Sequence, residues 1–173
     1  MLSPDARIAN LLGALTLEAA TVQERAAQAV VGQAGSAAAA LVTVAAHPNR
    51  TVEELRAPLG LSQPGAARLV QRLVDAGWVE RSGPGGRGGH RLTPSATGGR
   101  LLDELFDARR AALLDLLKPL PDDERQALAA TLERLLAART TDTISAKNLC
   151  RLCERRTCAR CPVTRAADGD PDA

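Results

Sequence analysis

Aromatic side chains are nearly missing from this chain of 173 residues, which has one Trp, one Phe and no Tyr. Sheet-rich folds draw on aromatic and β-branched residues, so a core built mostly from Leu, Ala and Val points to a mainly α protein. A long apolar run is missing too. No stretch approaches the roughly eighteen consecutive apolar residues of a membrane span. The start, "MLSPDARIANLLGAL", lacks the basic region and cleavage site of a secretory signal. These two absences lead to the expectation of a cytoplasmic chain with no membrane partner. An excess of one charge is also lacking, the formal net charge being +2, so any nucleic-acid contact must come from how charge is distributed. Cysteine is absent until Cys150 and then appears four times by Cys161. In a reducing compartment such a cluster points to metal ligation or redox chemistry before structural disulfides.

The length suits one globular domain, or one domain with an appendage. From Arg7 to about Gln33 the apolar residues Ile8, Leu11, Leu12, Leu15, Ala19, Val22, Ala26 and Val30 recur at threes and fours, an amphipathic helix expected to close at Gly35. Ser36 is placed to cap a short alanine-rich helix that His47-Pro48 stops. Thr51 and Glu54 have capping-box spacing, Leu55 and Leu59 face inward, and Gly60 ends the turn. Ser62 then caps a helix whose inward stripe is Ala66, Leu69, Val70, Leu73 and Val74, leaving Arg68, Gln71, Arg72 and Asp75 on the free side. Two short helices joined by a tight turn, the second basic outside, form a helix-turn-helix pattern.

Between Ser62 and Leu92 five arginines, Arg68, Arg72, Arg81, Arg87 and Arg91, face only Asp75 and Glu80, so this middle segment is locally basic. Short strands are predicted at Trp78–Arg81 and His90–Thr93, with the glycine-rich "GPGGRGG" and Arg87 between them. Ordering glycine-rich chain costs much entropy, so the loop makes sense as a basic finger and not as a packing element. Beyond Pro94 a long helix carries Leu101, Leu102, Leu105, Leu113, Leu116 and Leu117 until Pro119 and Pro121 break it. A further helix from Asp122 to about Arg139 sets Leu128, Leu132, Leu135 and Leu136 on one face, and the tail after Val163 is expected to be disordered.

Taken in order, these elements resemble the MarR family of bacterial winged helix-turn-helix transcription regulators over roughly Asp5 to Arg139. The segments "LSQPGAARLVQRLVDAGWVERSG" and "GHRLTPSATGGRLL" carry the resemblance, being similar to the family's recognition helix and wing exit. One departure is the wing tip, where Arg87 lacks the acidic partner of the family's frequent Asp-x-Arg pair. The resemblance implies a homodimer with intertwined first and last helices. It divides residues 1–140 into an N-terminal dimerisation helix (1–35), a winged helix-turn-helix DNA-binding region (36–95) and C-terminal dimerisation helices (96–140); the cysteine pattern adds a metal-binding loop with a disordered tail (141–173). The resemblance also implies a pseudo-palindromic operator in double-stranded DNA, a small-molecule effector in many members, and repression by promoter occupancy.

In such a reader, phosphate contacts give affinity and base-edge contacts give specificity. Ser62, Gln63 and their helix start are suited to phosphate, Arg68, Gln71 and Arg72 to base edges in the major groove, and Arg87 to the minor groove. A lone basic helix face is compatible with plain solvation; the neighbouring capped helix and glycine wing argue for contact. His47 and His90 match no ligand pattern.

Cys150, Cys153, Cys158 and Cys161 follow C-x2-C-x4-C-x2-C, two hooks close enough to converge on one centre. Four thiolates satisfy tetrahedral zinc or an iron-sulfur cluster, and Cys153 to Cys161 followed by Pro162 is similar to a ferredoxin-type loop. Arg151, Arg155, Arg156, Arg160 and Arg165 surround the sulfurs with positive charge, which suits either anionic centre. The expectation is a redox- or metal-responsive regulator with a 2Fe-2S cluster slightly ahead of Zn2+, the alternative being a metal-free thiol switch. An enzyme is not expected. The rival class, a C-x-x-C thiol oxidoreductase, requires a thioredoxin-like strand-helix pattern before a hook, and neither hook has one.

Overall fold

The computed structural model describes residues 3–32, 36–83, 89–150, 152–154, 157–158 and 161–169. Arg87, Arg151, Arg155, Arg156 and Arg160 lie outside the described residues.

Helix α1, Pro4–Val31, starts where the Ser3 hydroxyl accepts the Ala6 N–H at 3.1 Å with Pro4 in the first turn. It ends at Gly32, whose φ of 64° and N–H to the Gln28 carbonyl at 2.8 Å close the last turn three residues before the expected Gly35. The helix α2, Ser36–Ala46, is the centre of the core: Ala37, Ala38, Ala40, Leu41, Val42 and Val44 are buried, and buried Thr43 satisfies its hydroxyl on the Ala39 carbonyl at 2.7 Å. Helix α2 touches α3 (Val52–Leu59), α4 (Gln63–Asp75), β2 (Arg91–Pro94) and α5 (Ala96–Leu116). Fully burying side chains such as Leu41, Leu55, Leu73, Leu92 and Leu105 stabilises the fold by about 1.5–3 kcal/mol each.

The wing pairs β1, Val79–Ser82, antiparallel with β2, Val79 facing Pro94 and Ser82 facing Arg91. Both strands begin one residue later than predicted. At the first, Trp78 is occupied by the exit of α4, its N–H bonding the Leu73 carbonyl at 2.9 Å. A third short segment, unforeseen in the sequence, joins the sheet: Asn49, at φ 63°, turns the chain after α2 so that the Asn49 N–H and Arg50 carbonyl bracket Leu92 at 2.9 and 3.0 Å. Asparagine is among the few residues that take this left-handed conformation readily.

Helix α5 packs along α1 and α6 spans Asp122–Ala138. Two further helices were not expected. The first, α7, Thr143–Leu149, begins with a capping box between Asp142 and Ser145. The second, α8, Pro162–Ala167, corrects the expected disorder after Val163: Pro162 sits in its first turn, and buried Val163 lies where α8 packs against α6 and α7.

Candidate functional site

Helix α4 has one face fixed and one free. Ala66, Leu69, Val70 and Leu73 are buried against the core, while Arg68, Gln71 and Arg72, three and four residues apart, share the exposed face. The Gln71 Nε2–H donates to Asp75 Oδ1 at 2.7 Å, which holds the amide alongside the two guanidiniums. At the start of α4 the Ser62 hydroxyl accepts the Gly65 N–H at 3.3 Å, and Ser62 and Gln63 are both exposed beside the open N–H groups of the first turn.

Helix α3 is clamped in front of α4 by its box. Glu54 accepts from the Thr51 N–H at 2.8 Å and from Arg50 at 2.8 Å, and the Thr51 hydroxyl accepts the Glu54 N–H at 3.3 Å. These bonds, the one from the Thr51 N–H foremost and the Arg50 guanidinium next, lower the Glu54 carboxyl from 4.5 to about 2. Arg91 on the wing donates to the Asn49 carbonyl at 3.0 Å and stands 3.8 Å from Glu54, tying the wing base to the helix-turn-helix. Arg81 and Arg91 are exposed at the wing base.

The four cysteines meet in one place. Cys150 ends α7, and Cys161 precedes α8; with Cys153 and Cys158 they line a cavity of about 400 Å³ that also takes in His47 and Lys147. None of the four is in a disulfide. Cys150 is pushed up, first by the hydrogen bond it shares with Cys153, then by burial and the neighbouring sulfurs. Cys158 is raised by burial first and by Cys161 and Cys153 next. Burial also raises Cys161, but the N–H and hydroxyl of Thr164 and the N–H of Val163, which face its sulfur without completing a cap bond, outweigh it and lower the thiol. Among the described residues no group of three or more His, Cys, Asp or Glu has metal-holding geometry. By its chemistry the donor set, four thiols lining one cavity, suits a tetrathiolate centre and offers little to an oxygen-loving cation.

Two residues at this site went unnoticed in the sequence. Half-buried Arg109 on α5 donates to the Leu152 carbonyl and to Gln23 Oε1, and Arg110 donates to Glu154 Oε2 at 2.9 Å. Burial lowers the Arg109 guanidinium and nearby Cys153 opposes that shift. Their only sequence signal is the doublet Arg109-Arg110 in a leucine-rich helix, which periodicity reads as an ordinary polar face.

Residues 34–88 match the profile of the MarR family, a match that ends before the cysteines. No curated protein matches the sequence. Among solved structures, RV1404 from Mycobacterium tuberculosis is similar with a TM-score of 0.65 and 21% identity, covering 78% of this chain and 93% of that one. A multiple antibiotic-resistance repressor (MarR) from Listeria monocytogenes gives 0.61 and 18%, over 78% and 95%. The apo form of wild-type MarR from E. coli gives 0.58 and 22%, over 72% and 96%. These likenesses establish a shared winged-helix fold.

Proposed function

We propose that this chain, a member of the MarR family of winged helices, is a cytoplasmic DNA-binding transcription regulator that works as a homodimer and represses by occupying a promoter. The observation that carries the reading is α4, whose apolar face is locked in the core while Arg68, Gln71 and Arg72 stand together on the free face. A helix so anchored presents base-reading donors without having to order itself on the duplex. Ser62 and Gln63 supply phosphate contacts at its start, Arg81 and Arg91 add positive charge at the wing base, and Arg87 reaches the minor groove. Two copies with reading helices about 34 Å apart meet one face of a pseudo-palindromic operator.

The cysteine cavity adds a sensing function. Cys150, Cys153, Cys158 and Cys161 hold a 2Fe-2S cluster or, as the second form, Zn2+; a metal-free thiol switch is the remaining alternative. A cluster supplies a one-electron change of charge, whereas zinc supplies structural closure alone. A small-molecule effector fits the open cleft of about 450 Å³ lined by Val42, Leu102, Phe106 and Glu154.

A gel shift against the chain's own upstream DNA tests the regulator. Binding falls steeply with salt, and Arg72→Ala weakens it by about 1–3 kcal/mol if Arg72 reads a base. Retention unchanged by Arg72→Ala sinks the assignment of α4. Metal analysis of anaerobically purified protein decides the centre. Brown protein with visible absorption means the cluster, one zinc per chain means Zn2+, and metal-free protein that keeps full DNA binding after chelation means the thiol switch.

A further inference from the structure

The cysteine segment is fastened on three sides. Helix α7 packs on α3, the front helix of the helix-turn-helix, and ends at Cys150. Helix α8 starts after Cys161 and packs on α6. Between them the turn at Leu152 to Glu154 is tied to α5, and this tie runs through Arg109.

Arg109 stands at the meeting of three elements. One terminal nitrogen donates to the Leu152 carbonyl in the cysteine turn, the other to Gln23 Oε1 on α1, and Gln23 is itself held by its Nε2–H to the Ala19 carbonyl at 2.9 Å. The residues it joins are 43 and 86 positions away in the chain. Its Nε is buried with no acceptor. A buried donor left without an acceptor destabilises the fold, so its retention needs a reason other than stability. Cys153, next to Leu152, lies near enough to influence the guanidinium electrostatically. Arg110 bonds Glu154 at 2.9 Å beside it, a more exposed second tie.

We propose that Arg109 is the positioning residue through which the state of the four cysteines reaches the α1–α5 junction and, by way of α7 on α3, the DNA-reading half. The inference rests on the cysteine cavity holding a centre. With the sulfurs drawn together, the Leu152–Glu154 turn is fixed, the Arg109 fork is fully engaged, and α7 braces α3; with the centre removed the turn loosens and α3 loses its brace. A braced α3 has less order to gain on the duplex, so the loaded protein binds operator more tightly.

The experiment compares operator affinity of the full chain as purified anaerobically and after chelation, for the natural protein, Arg109→Met and Arg109→Lys, with metal content measured on each. The natural protein binds about tenfold more tightly when loaded, within the ordinary range of coupling between sites. Arg109→Met keeps its metal and its operator binding but the difference shrinks to about twofold or less, and Arg109→Lys restores part of it. A full difference in metal-loaded Arg109→Met overturns the coupling while leaving the cysteine centre intact. Natural protein purified without metal overturns the centre and the coupling with it, and metal analysis tells these two failures apart. Should Arg109→Met not fold, Arg109→Lys carries the test, because it keeps the buried charge but loses the two-pronged fork: a difference smaller than the natural protein's supports the proposal and a full one overturns it.

Discussion

Glu54 accepts from the backbone that starts α3 and from Arg50 on the turn before it, so one carboxylate fixes both the start of the helix and its approach to the wing. Its folded carboxyl titrates at about 2, below the ordinary 4.5, so the folded state binds its proton less readily than the unfolded chain. The stabilisation is therefore complete above 4.5 and is lost as pH falls through about 2. Glu54→Gln keeps the shape but not the charge. Its melting temperature lies below that of the natural protein at neutral pH, and the gap closes on acidification. A gap that stays constant down to the acid limb assigns the bond to shape instead of charge. Thr51 and Glu54 could be read from the sequence because a capping box is a local pattern with fixed spacing. Arg109 was not legible in that way: its partners Gln23 and Leu152 lie far off in sequence, and nothing local distinguishes it from Arg110.

At the scale of elements, the junction between α4 and α5 shows how backbone geometry sets a sequence. The Ser95 hydroxyl accepts the Gly98 N–H at 3.0 Å, and donates to the Gly77 carbonyl at 2.6 Å, while the Ser95 N–H bonds the Trp78 carbonyl at 3.0 Å. The first turn of α5 thus lies directly on the chain leaving α4. A Cβ at Gly98 meets the Trp78 carbonyl oxygen at 2.0 Å, whereas a Cβ at Gly99 meets nothing within 4 Å. Gly98→Ala forces a backbone shift and destabilises by about 1–3 kcal/mol. Gly99→Ala removes backbone freedom from the unfolded chain and stabilises by about 0.4–1 kcal/mol. Urea denaturation of the pair checks both signs, and equal effects refute the contact. The sequence showed that α5 begins after Pro94 but not why two glycines stand together in its first turn, because the reason is the approach of another segment. Helices α7 and α8 escaped notice for a different reason: each is under eight residues, too short for apolar periodicity to register.

Across the whole molecule, the apolar stripe of α1 takes a direction the sequence left open. Its period is plain, yet only the C-terminal end of the helix reaches the core of this chain, at Ala27 and Val31. Ile8, Leu11, Leu12 and Leu15 are each more than half exposed. Leu132 and Leu135 on α6 are exposed as well, so the two helices placed at the ends of the winged helix both carry unburied leucine. A patch of this sort on a single protein chain marks an association surface, and the homodimer proposed above is the occupant that also gives DNA its second reading helix. Periodicity states that a face is apolar; whether that face meets its own chain or another copy is decided by the tertiary arrangement. Leu12→Asp, with no intrachain core contact to lose, leaves the winged helix folded and places a desolvated charge in the dimer contact. Sedimentation then reports a monomer, circular dichroism keeps its helical signal, and operator binding drops toward the affinity of a single reading helix, losing its preference for a site with two halves. A Leu12→Asp protein that sediments as a dimer on the same operator places the contact elsewhere on the molecule.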